Sequence, residues 1–566
     1  MKIYFTLIIS LTLSFCTDTK KQAQQTTTES SSVEVNKVDP LFSLVPSNKS
    51  GISFNNFNKE NNDYNYFAYE YFYNGGGVAT ADFNNDGLLD IVFTANMASN
   101  KLYINKGDFS FQDITATAGI NSNTQDWCTG VSIIDINSDG YQDIFISRSG
   151  WFGDDQKNKL SNLLFVNNKD LTFTESASKY GFTDQSRSNQ ACFFDMDNDG
   201  DLDMYLINNP KKHTKTREYP NGDIRLVDVG STYQDSDKLY ENKNGTYRDI
   251  TKKAGLVNSD YGLGIVAADL NQDGFQDLYI ANDYSKPDAI LINNGNGSFT
   301  NTTDATLKHM SKFSMGVDIA DINNDGLLDI FNSEMLGQDN YSKKVNMASM
   351  NPKLYWGFVA SGYHYQDMHN SLQLNNGNNT FSEISWMANV AETDWSWCPL
   401  IADFDNDGYK DIYVTNGIKR EVFNKDFNNK QGKGLTDNPA LFEGVISFLP
   451  EKKSYNAMFK NNGDLTFTDS AMDWGLKTKA FNSNGAAYAD LDNDGDLDLI
   501  VNNIEDTAAV YKNNASKHNN ALTLTLTNNG NIAYGAKAAI IEGEKQQTSQ
   551  ITNTRGFQSV SDHRIH

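Results

Sequence analysis

The chain has 566 residues, a formal net charge of −25 at neutral pH and four cysteines. This acidic balance, together with the scarcity of Lys/Arg clusters, opposes contacts with phosphates, so we expect no nucleic-acid partner. Helix signals are sparse and aromatic residues make up 12% of the chain, a composition that favours an all-β fold.

The N-terminus predicts export. Residues 1–15 form a signal peptide in which Lys2 precedes an apolar run, residues 3–13, that is too short to span a membrane as a helix. The following "LSFC" is similar to a lipoprotein box, which makes Cys16 the lipidated first mature residue; simple secretion is the alternative. Residues 16–38 are polar and predict a disordered tether. We therefore expect a membrane-anchored lipoprotein of the outer membrane or cell surface that contacts membrane only through its lipid.

An acidic motif, "DFNNDGLLD", occupies residues 82–90. Its side-chain oxygens at positions 1, 3, 5 and 9 and the backbone carbonyl at position 7 can converge on Ca²⁺, and Gly at position 6 permits the sharp turn. Position 12 is Phe93, within a β-type sequence, where an EF-hand would have a bidentate Glu. The motif therefore predicts a calcium loop between two strands. An Asx-rich turn without metal is the alternative for a single copy.

The motif occurs seven times, and the copies are called loops 1 to 7 below. Asp stands at positions 1, 5 and 9 and Gly at position 6 in every copy, which a simple turn does not require. We therefore predict up to seven bound Ca²⁺ ions. The predicted ligands at positions 1, 3, 5, 7 and 9 are Asp82, Asn84, Asp86, Leu88 and Asp90; Asp135, Asn137, Asp139, Tyr141 and Asp143; Asp195, Asp197, Asp199, Asp201 and Asp203; Asp269, Asn271, Asp273, Phe275 and Asp277; Asp321, Asn323, Asp325, Leu327 and Asp329; Asp403, Asp405, Asp407, Tyr409 and Asp411; and Asp490, Asp492, Asp494, Asp496 and Asp498.

The intervals between loops predict a β-propeller. Successive loops begin 52 to 87 residues apart, and each interval contains a strand, an Asn/Gly turn and another strand. Each repeat thus has four strands, and seven repeats make a seven-bladed propeller over residues 39–515. The last repeat has only three strands, so we expect residues 50–57, "SGISFNNF", to supply its outer strand and close the ring.

These repeats resemble FG-GAP/VCBS repeats, the type found in the integrin α-subunit propeller and in the cartilage acidic protein family. The C-terminal residues 520–566 contain "GAKAAI" and "RGFQSVSDHRIH", which resemble the start of an ASPIC/UnbV domain. The resemblance implies a small partial β domain after the propeller. The motif usually continues into a Phe-Gly-Leu-Gly stretch, which does not follow here.

Cysteines and tryptophans near the loops are interpreted as packing residues. Cys128, Cys192 and Cys398 lie on strands of three different repeats, which argues against a disulfide framework. The nearby Trp127, Trp395 and Trp397 are likewise interpreted as core residues. The alternative is that some of these side chains line a ligand groove.

Three long inserts, residues 210–236, 333–369 and 417–454, predict a binding surface because inserts in repeat folds often gather on one face. Within the third, Leu441, Val445 and Phe448 have helical spacing before a Pro.

Together these features favour a calcium-stabilised surface scaffold that binds protein or glycan and is not an enzyme. We find no HExxH pair, no Gly-x-Ser-x-Gly elbow and no phosphate-binding Gly loop. A polysaccharide lyase or hydrolase that uses the propeller channel is the alternative, and RNA binding is a weaker one.

Overall fold

A computed structural model describes residues 40–121, 126–152, 154–211, 215–218, 224–227, 232–258, 260–284, 286–346, 352–432, 434, 438–528, 530–543 and 545–566. Residues Pro40–His566 form one compact unit. The predicted signal peptide, Cys16 and the predicted tether lie outside the described residues.

Seven four-stranded antiparallel sheets form the blades of a β-propeller, as predicted. The innermost strands of blades 1 to 7 are Val78–Ala81, Cys128–Ile134, Arg187–Phe194, Gly262–Ala268, Val317–Ala320, Ser396–Ala402 and Ser483–Ala489. The second strands are Asp90–Phe93, Asp143–Arg148, Asp203–Asn209, Asp277–Asn282, Asp329–Asn332, Asp411–Asn416 and Asp498–Asn503. The third strands are Lys101–Asn105, Leu163–Asn167, Lys238–Asn242, Ala289–Asn293, Ser371–Asn375, Ala457–Asn461 and Ala509–Asn513. The outer strands of blades 1 to 6 are Phe111–Asp113, Phe173–Glu175, Tyr247–Asp249, Phe299–Asn301, Phe381–Glu383 and Phe467–Asp469.

The ring closes through a different N-terminal segment from the one predicted. Phe42–Leu44 pairs antiparallel with Ala509–Asn513 as the outer strand of blade 7. Residues 50–57 instead cover the junction of blades 7 and 1, where Phe54 stacks on Phe93 with ring centroids 4.7 Å apart. Both segments place apolar side chains at alternate positions, so periodicity alone did not separate them.

The helices are short. The α-helices are Ser47–Ser50, Thr115–Ala118, Ala177–Tyr180, Thr251–Ala254, Thr303–Thr306, Asn340–Val345, Pro352–Ala360, Ser385–Ala388, Lys425–Phe427 and Phe442–Val445. The 3₁₀-helices are Asp154–Leu160, Pro439–Leu441, Ile446–Phe448 and Ala515–Lys517, and Asn428–Gly432 is a π-helix. None of the helices among the described residues combines the length and apolarity needed to cross a bilayer.

Two-stranded sheets supplement the blades. They pair Lys215–Glu218 with Ile224–Val227, Met310–Ser311 with Gln366–Asp367, Thr527–Asn528 with Asn531–Ile532, and Lys537–Glu542 with Lys545–Gln550. The last pair is called the C-terminal hairpin below.

Leu441, Val445 and Phe448, which have helical spacing in the third insert, do not form a buried apolar face. Leu441 and Phe448 are 53% and 64% exposed, whereas Phe442 and Leu449 are buried. The segment divides into three one-turn helices, so side chains four and three residues apart do not stay on one face.

Cys128, Cys192 and Cys398 are buried, as predicted, and none of the three takes part in a disulfide bond. Trp127 and Trp397 are buried too, whereas Trp395 is only partly buried.

All three inserts connect the second strand of a blade to its third strand, in blades 3, 5 and 6. The acidic loops connect first strands to second strands, so they lie at the opposite end of each antiparallel blade. The propeller therefore has a loop face, which carries loops 1 to 7, and an insert face.

The C-terminal residues 553–562 fill the central channel. Val560 forms a parallel bridge with Ala79 of blade 1, and Gly556 forms an antiparallel bridge with Val317 of blade 5. The contacts with the innermost strands of the other blades are hydrogen bonds. The segment accepts two of them, Gln558 O from Val131 N and Asn553 Oδ1 from Phe193 N. It donates the other three, from Thr554 Oγ1 to Ile265 O, from Phe557 N to Cys398 Sγ and from Asp562 N to Tyr488 O. The segment is thus bonded to all seven blades.

Residues 553–562 fit in the channel because glycines let the segment and the surrounding strands approach closely. A Cβ on Gly77 of blade 1 would lie 1.7 Å from Gln558 O, and a Cβ on Gly556 would lie 2.2 Å from Cys398 Sγ. The φ of Gly556 is +69°, a conformation that side chains rarely adopt.

Gly556→Ala is expected to destabilise the propeller by about 2–5 kcal/mol, since it adds the steric clash at Cys398 to the cost of a left-handed φ. The matched control is Gly543→Ala, where φ is +64° but the added Cβ meets nothing within 4 Å. We expect that control to cost at most about 1–2 kcal/mol. Thermal or denaturant unfolding of both variants measures the difference, and equal unfolding free energies would contradict the tight fit.

Candidate metal-binding loops

Loops 1 to 7 share one hydrogen-bonded conformation at their first Asp. Oδ1 of position 1 accepts from the backbone N–H of position 5 at 3.0–3.2 Å in every loop. Oδ2 accepts from the N–H of the Gly at position 6 at 2.7–3.1 Å. These bonds curl the chain around the first carboxylate, and the Gly φ values of +85° to +94° explain why position 6 is always Gly.

Positions 3 and 5 complete the turn. Oδ1 of position 5 accepts from the N–H of position 7 at 2.8–3.3 Å in all seven loops. Where position 3 is Asn, in loops 1, 2, 4 and 5, its Nδ2 donates to Oδ2 of position 5 at 2.8–3.0 Å. The turn is therefore built largely by the residues predicted to be ligands.

The Asp at position 9 joins each loop to its sheet. It is at most 2% exposed, and its Oδ2 accepts from the N–H of position 2 at 2.9–3.1 Å. Its Oδ1 accepts from the N–H of the last Asn of the third strand at 2.7–2.9 Å. This Asp thus has a structural role in addition to its predicted role as a ligand.

Carboxylate oxygens converge in loops 3, 6 and 7. In Asp195, Asp197 and Asp199, in Asp403, Asp405 and Asp411, and in Asp490, Asp492 and Asp498, one oxygen from each residue lies within 4.8 Å of the others. Oδ1 of Asp405 and Oδ1 of Asp492 are buried without a hydrogen-bond partner. Three convergent carboxylates with buried, unpaired oxygens fit a hard cation such as Ca²⁺.

Lysines balance part of this charge in loops 6 and 7. Lys460 contacts Asp405 and Asp407, and Lys512 contacts Asp492 and Asp494. Both loops carry Asp rather than Asn at position 3, so each lysine lies beside an additional carboxylate.

Burial raises the pKa of the position-9 carboxyl groups. The pKa is about 7 for Asp90, Asp143, Asp277 and Asp329, and about 8 for Asp203. Neighbouring loop carboxylates raise these pKa values further, while the two backbone N–H donors lower them. A cation in the loop would oppose the rise because it favours the ionised form.

Position 4, which the sequence interpretation passed over, links the loops to one another. Its side-chain amide donates to the Gly carbonyl of the next loop at 2.8–3.2 Å in loops 1, 3, 4, 5, 6 and 7. Loop 2 has Ser138 at this position, and Asn531 of the C-terminal region donates to its hydroxyl at 3.0 Å. The signal was present in the sequence, since position 4 is Asn in five loops and Gln in one.

The last Asn of the third strand provides a second link. Its Nδ2 donates to the position-2 carbonyl of the preceding blade's loop at 2.7–3.2 Å for Asn105, Asn167, Asn293, Asn375, Asn461 and Asn513. The sequence pattern indicates only a hairpin turn at these residues. The C-terminal hairpin also reaches a loop, because Lys537 Nζ lies 2.7 Å from Asp269 Oδ2 at position 1 of loop 4.

The repeats match a known family. A profile described as FG-GAP-like repeat matches residues 82–146, 225–280, 269–331, 358–414 and 445–501, which together cover half of the chain. The chain belongs to the FG-GAP repeat family. The family resemblance, the all-β class and the seven-bladed propeller predicted from the sequence are thereby confirmed, whereas the ASPIC/UnbV resemblance of residues 520–566 stays a prediction.

Curated relatives of this FG-GAP protein include two cartilage acidic proteins. Cartilage acidic protein 1 of Xenopus tropicalis is 23% identical over 493 residues, covering 82% of this chain and 63% of the relative. Cartilage acidic protein 1 of Mus musculus is 22% identical over 486 residues, with the same coverage of 82% and 63%. The chain thus spans less than two thirds of the length of these relatives.

Among solved structures, an Agrocybe aegerita lectin that recognises non-reducing terminal N-acetylglucosamine matches with a TM-score of 0.37 and 16% identity. The match covers 75% of this chain and 88% of the lectin.

We predict that stability without divalent ions falls as pH rises from 6 to 8.5. The position-9 pKa values of about 7 to 8 in the folded protein lie above the value of about 3.9 for an unfolded Asp. Protonation therefore favours the folded state, and this stabilisation is lost as pH rises through the folded pKa. Thermal unfolding in excess chelator across this pH range measures the effect, with calcium-saturated protein as the control. A melting temperature that does not change with pH in chelator would contradict the prediction.

Proposed function

We propose that this FG-GAP protein is a calcium-stabilised, exported binding scaffold that holds protein or glycan ligands on its insert face. It is anchored through a lipid on Cys16 and acts without catalysis. The observation that carries the binding role is the position of the inserts, because all three emerge on the face opposite the acidic loops. A rigid ring with variable segments on one side suits ligand display.

Calcium is the cofactor that best suits the loops. Positions 1, 3, 5 and 9 supply the oxygen ligands that a hard cation prefers, while the carbonyl of position 7 stays a predicted ligand. When bound, the ion would neutralise repulsion among carboxylates and cross-link the two strands that each loop joins. The backbone N–H donors to positions 1, 5 and 9 hold the same carboxylates in place.

The central channel gives less support to the alternative of a lyase or hydrolase. Residues 553–562 occupy this channel and bond to every blade, which leaves a polysaccharide no path along the axis. RNA binding remains opposed by the net charge of −25.

Calcium removal is expected to destabilise the propeller strongly. For a dissociation constant of about 10⁻⁴ M, each loop gains about 1.4 kcal/mol at about 1 mM calcium. Seven independent loops would gain about 10 kcal/mol, which is comparable to the stability of a typical domain. We therefore expect chelation to lower the melting temperature by more than about ten degrees, and calcium to restore it far better than magnesium.

Elemental analysis tests the stoichiometry in the same preparation. Asp86→Ala should remove about one bound ion, whereas Asp473→Ala, a change at an exposed acid outside the loops, should remove none. Unchanged melting after chelation, with no calcium detected, would show that the loops are Asx turns.

Ligand binding on the insert face is tested by a glycan and protein array in calcium buffer. We expect a ligand whose signal falls at least about fivefold, or about 1 kcal/mol, in the double variant Leu441→Ser and Phe448→Ser, since both side chains are exposed on the third insert. Ile541→Ser is the matched control, because Ile541 is 71% exposed on the C-terminal hairpin. Loss of signal in the control alone would place binding on the loop face.

A further inference from the structure

A cleft on the insert face combines aromatic walls with carboxylates. Its inner lobe is bordered by half-buried rings that include Tyr66, Tyr284, Phe313, Trp395 and Phe423. An outer lobe shares Phe313, Trp395 and Phe423 with it and opens between the second and third inserts. We call the two lobes together the aromatic cleft.

The rings present both faces and edges to the cleft. Trp395 and Phe423 stack nearly parallel, with centroids 5.2 Å apart and planes 11° apart, and Tyr66 meets Phe423 edge-on at 6.4 Å. On the opposite side Tyr284 is nearly perpendicular to Phe313 at 6.4 Å. Aromatic faces carry partial negative charge, so walls of this kind attract cations.

Acidic side chains make the cleft negative. Glu70 and Asp283 line the inner lobe, and Glu70 accepts a hydrogen bond from Tyr284 Oη at 2.8 Å. Glu334, which is fully buried, precedes the lining residue Met335, and burial raises the pKa of its carboxyl group well above the ordinary value. Glu70 and Asp283 therefore supply the acidic side chains of the inner lobe, while Lys452, which lines the outer lobe, pairs with Asp394 at 2.6 Å.

Several buried polar atoms in this region have no hydrogen-bond partner. They are both carboxyl oxygens of Glu334, the hydroxyl of Tyr71, which is 8% exposed and lines the inner lobe, and the indole N–H of Trp395. A buried polar group without a partner destabilises the fold unless a ligand supplies the hydrogen bond. The hydroxyl of Tyr71 and the carboxyl oxygens of Glu334 can accept hydrogen bonds, so a donor group would satisfy them.

We propose that the aromatic cleft binds a primary ammonium group carried on an alkyl chain, such as a lysine side chain. The aromatic walls suit the alkyl stem and the cation, and Tyr71 and the carboxylates accept its hydrogen bonds. A carbonyl beside the stem would accept from Trp395. This inference rests on the proposed binding function, because that function determines where the ammonium group comes from. The source is a lysine of a partner protein or a free amine.

The experiment titrates the full calcium-loaded chain with Nα-acetyl-lysine N-methylamide and follows tryptophan fluorescence and calorimetric heat. We expect a dissociation constant on the order of 1 mM, and at least about tenfold weaker binding of the same molecule acetylated on Nε, which removes the charge. n-Butylamine tests the source: binding equal to the lysine probe indicates a free amine, and weaker binding indicates a lysine in a peptide. Equal affinity for the charged and acetylated probes would overturn the proposal.

Variants locate the binding in the cleft. Glu70→Gln keeps the size and the hydrogen bond to Tyr284 but removes the charge, so we expect about fivefold weaker binding. Asp426→Asn, a change at an exposed acid of the third insert, should leave the affinity unchanged. Tyr71→Phe removes a hydroxyl without a partner; it should therefore preserve folding while it weakens binding, and so covers the case in which Glu70→Gln does not fold.

Unaltered binding in both Glu70→Gln and Tyr71→Phe would also overturn the proposal. Because these measurements use the isolated protein, their failure leaves the tests of calcium binding and of array ligands unaffected.

Discussion

The structure depends on the crowding of carboxylates in seven small loops. Each loop places three to five acidic side chains within one turn, and their mutual repulsion would open it. Backbone N–H groups offset part of this repulsion, since positions 1, 5 and 9 each accept from the chain itself. Lysines offset another part in loops 6 and 7. A divalent ion would supply the remainder.

Because the position-9 Asp bonds to both the loop and the third strand, the geometry of a loop is coupled to that of its blade. The amides of position 4 and the last Asn of the third strand extend this coupling to the neighbouring blades. The loop face is thus a nearly continuous hydrogen-bonded ring, which leaves the insert face free to vary. The geometry that the seven loops share on one face, and the long inserts on the other face, follow from this arrangement.

Most of the fold was predictable from the sequence, because the motif repeats seven times and each interval contains the same pattern of strand, Asn/Gly turn and strand. The identity of the closing strand was not, since residues 50–57 and Phe42–Leu44 have the same alternation and differ only in tertiary contacts. The roles of Asn85 and Asn105 were also missed, because an Asn two residues before a Gly indicates a turn locally and its long-range acceptor is set by the neighbouring blade. The aromatic cleft brings together Tyr66, Tyr284 and Trp395 from distant parts of the chain, so no local sequence pattern predicts it.

The filled channel has a consequence for the order of folding. The segment that bonds to all seven innermost strands is made after every blade, and the strand that closes blade 7 is made before them all. The first contact needs Val560 and the second needs Ala509–Asn513, so both form only after all seven innermost strands have been made. Such distant pairings slow folding and keep strand edges exposed for longer. A chain shortened before the channel segment would leave its inner strands without their shared partner.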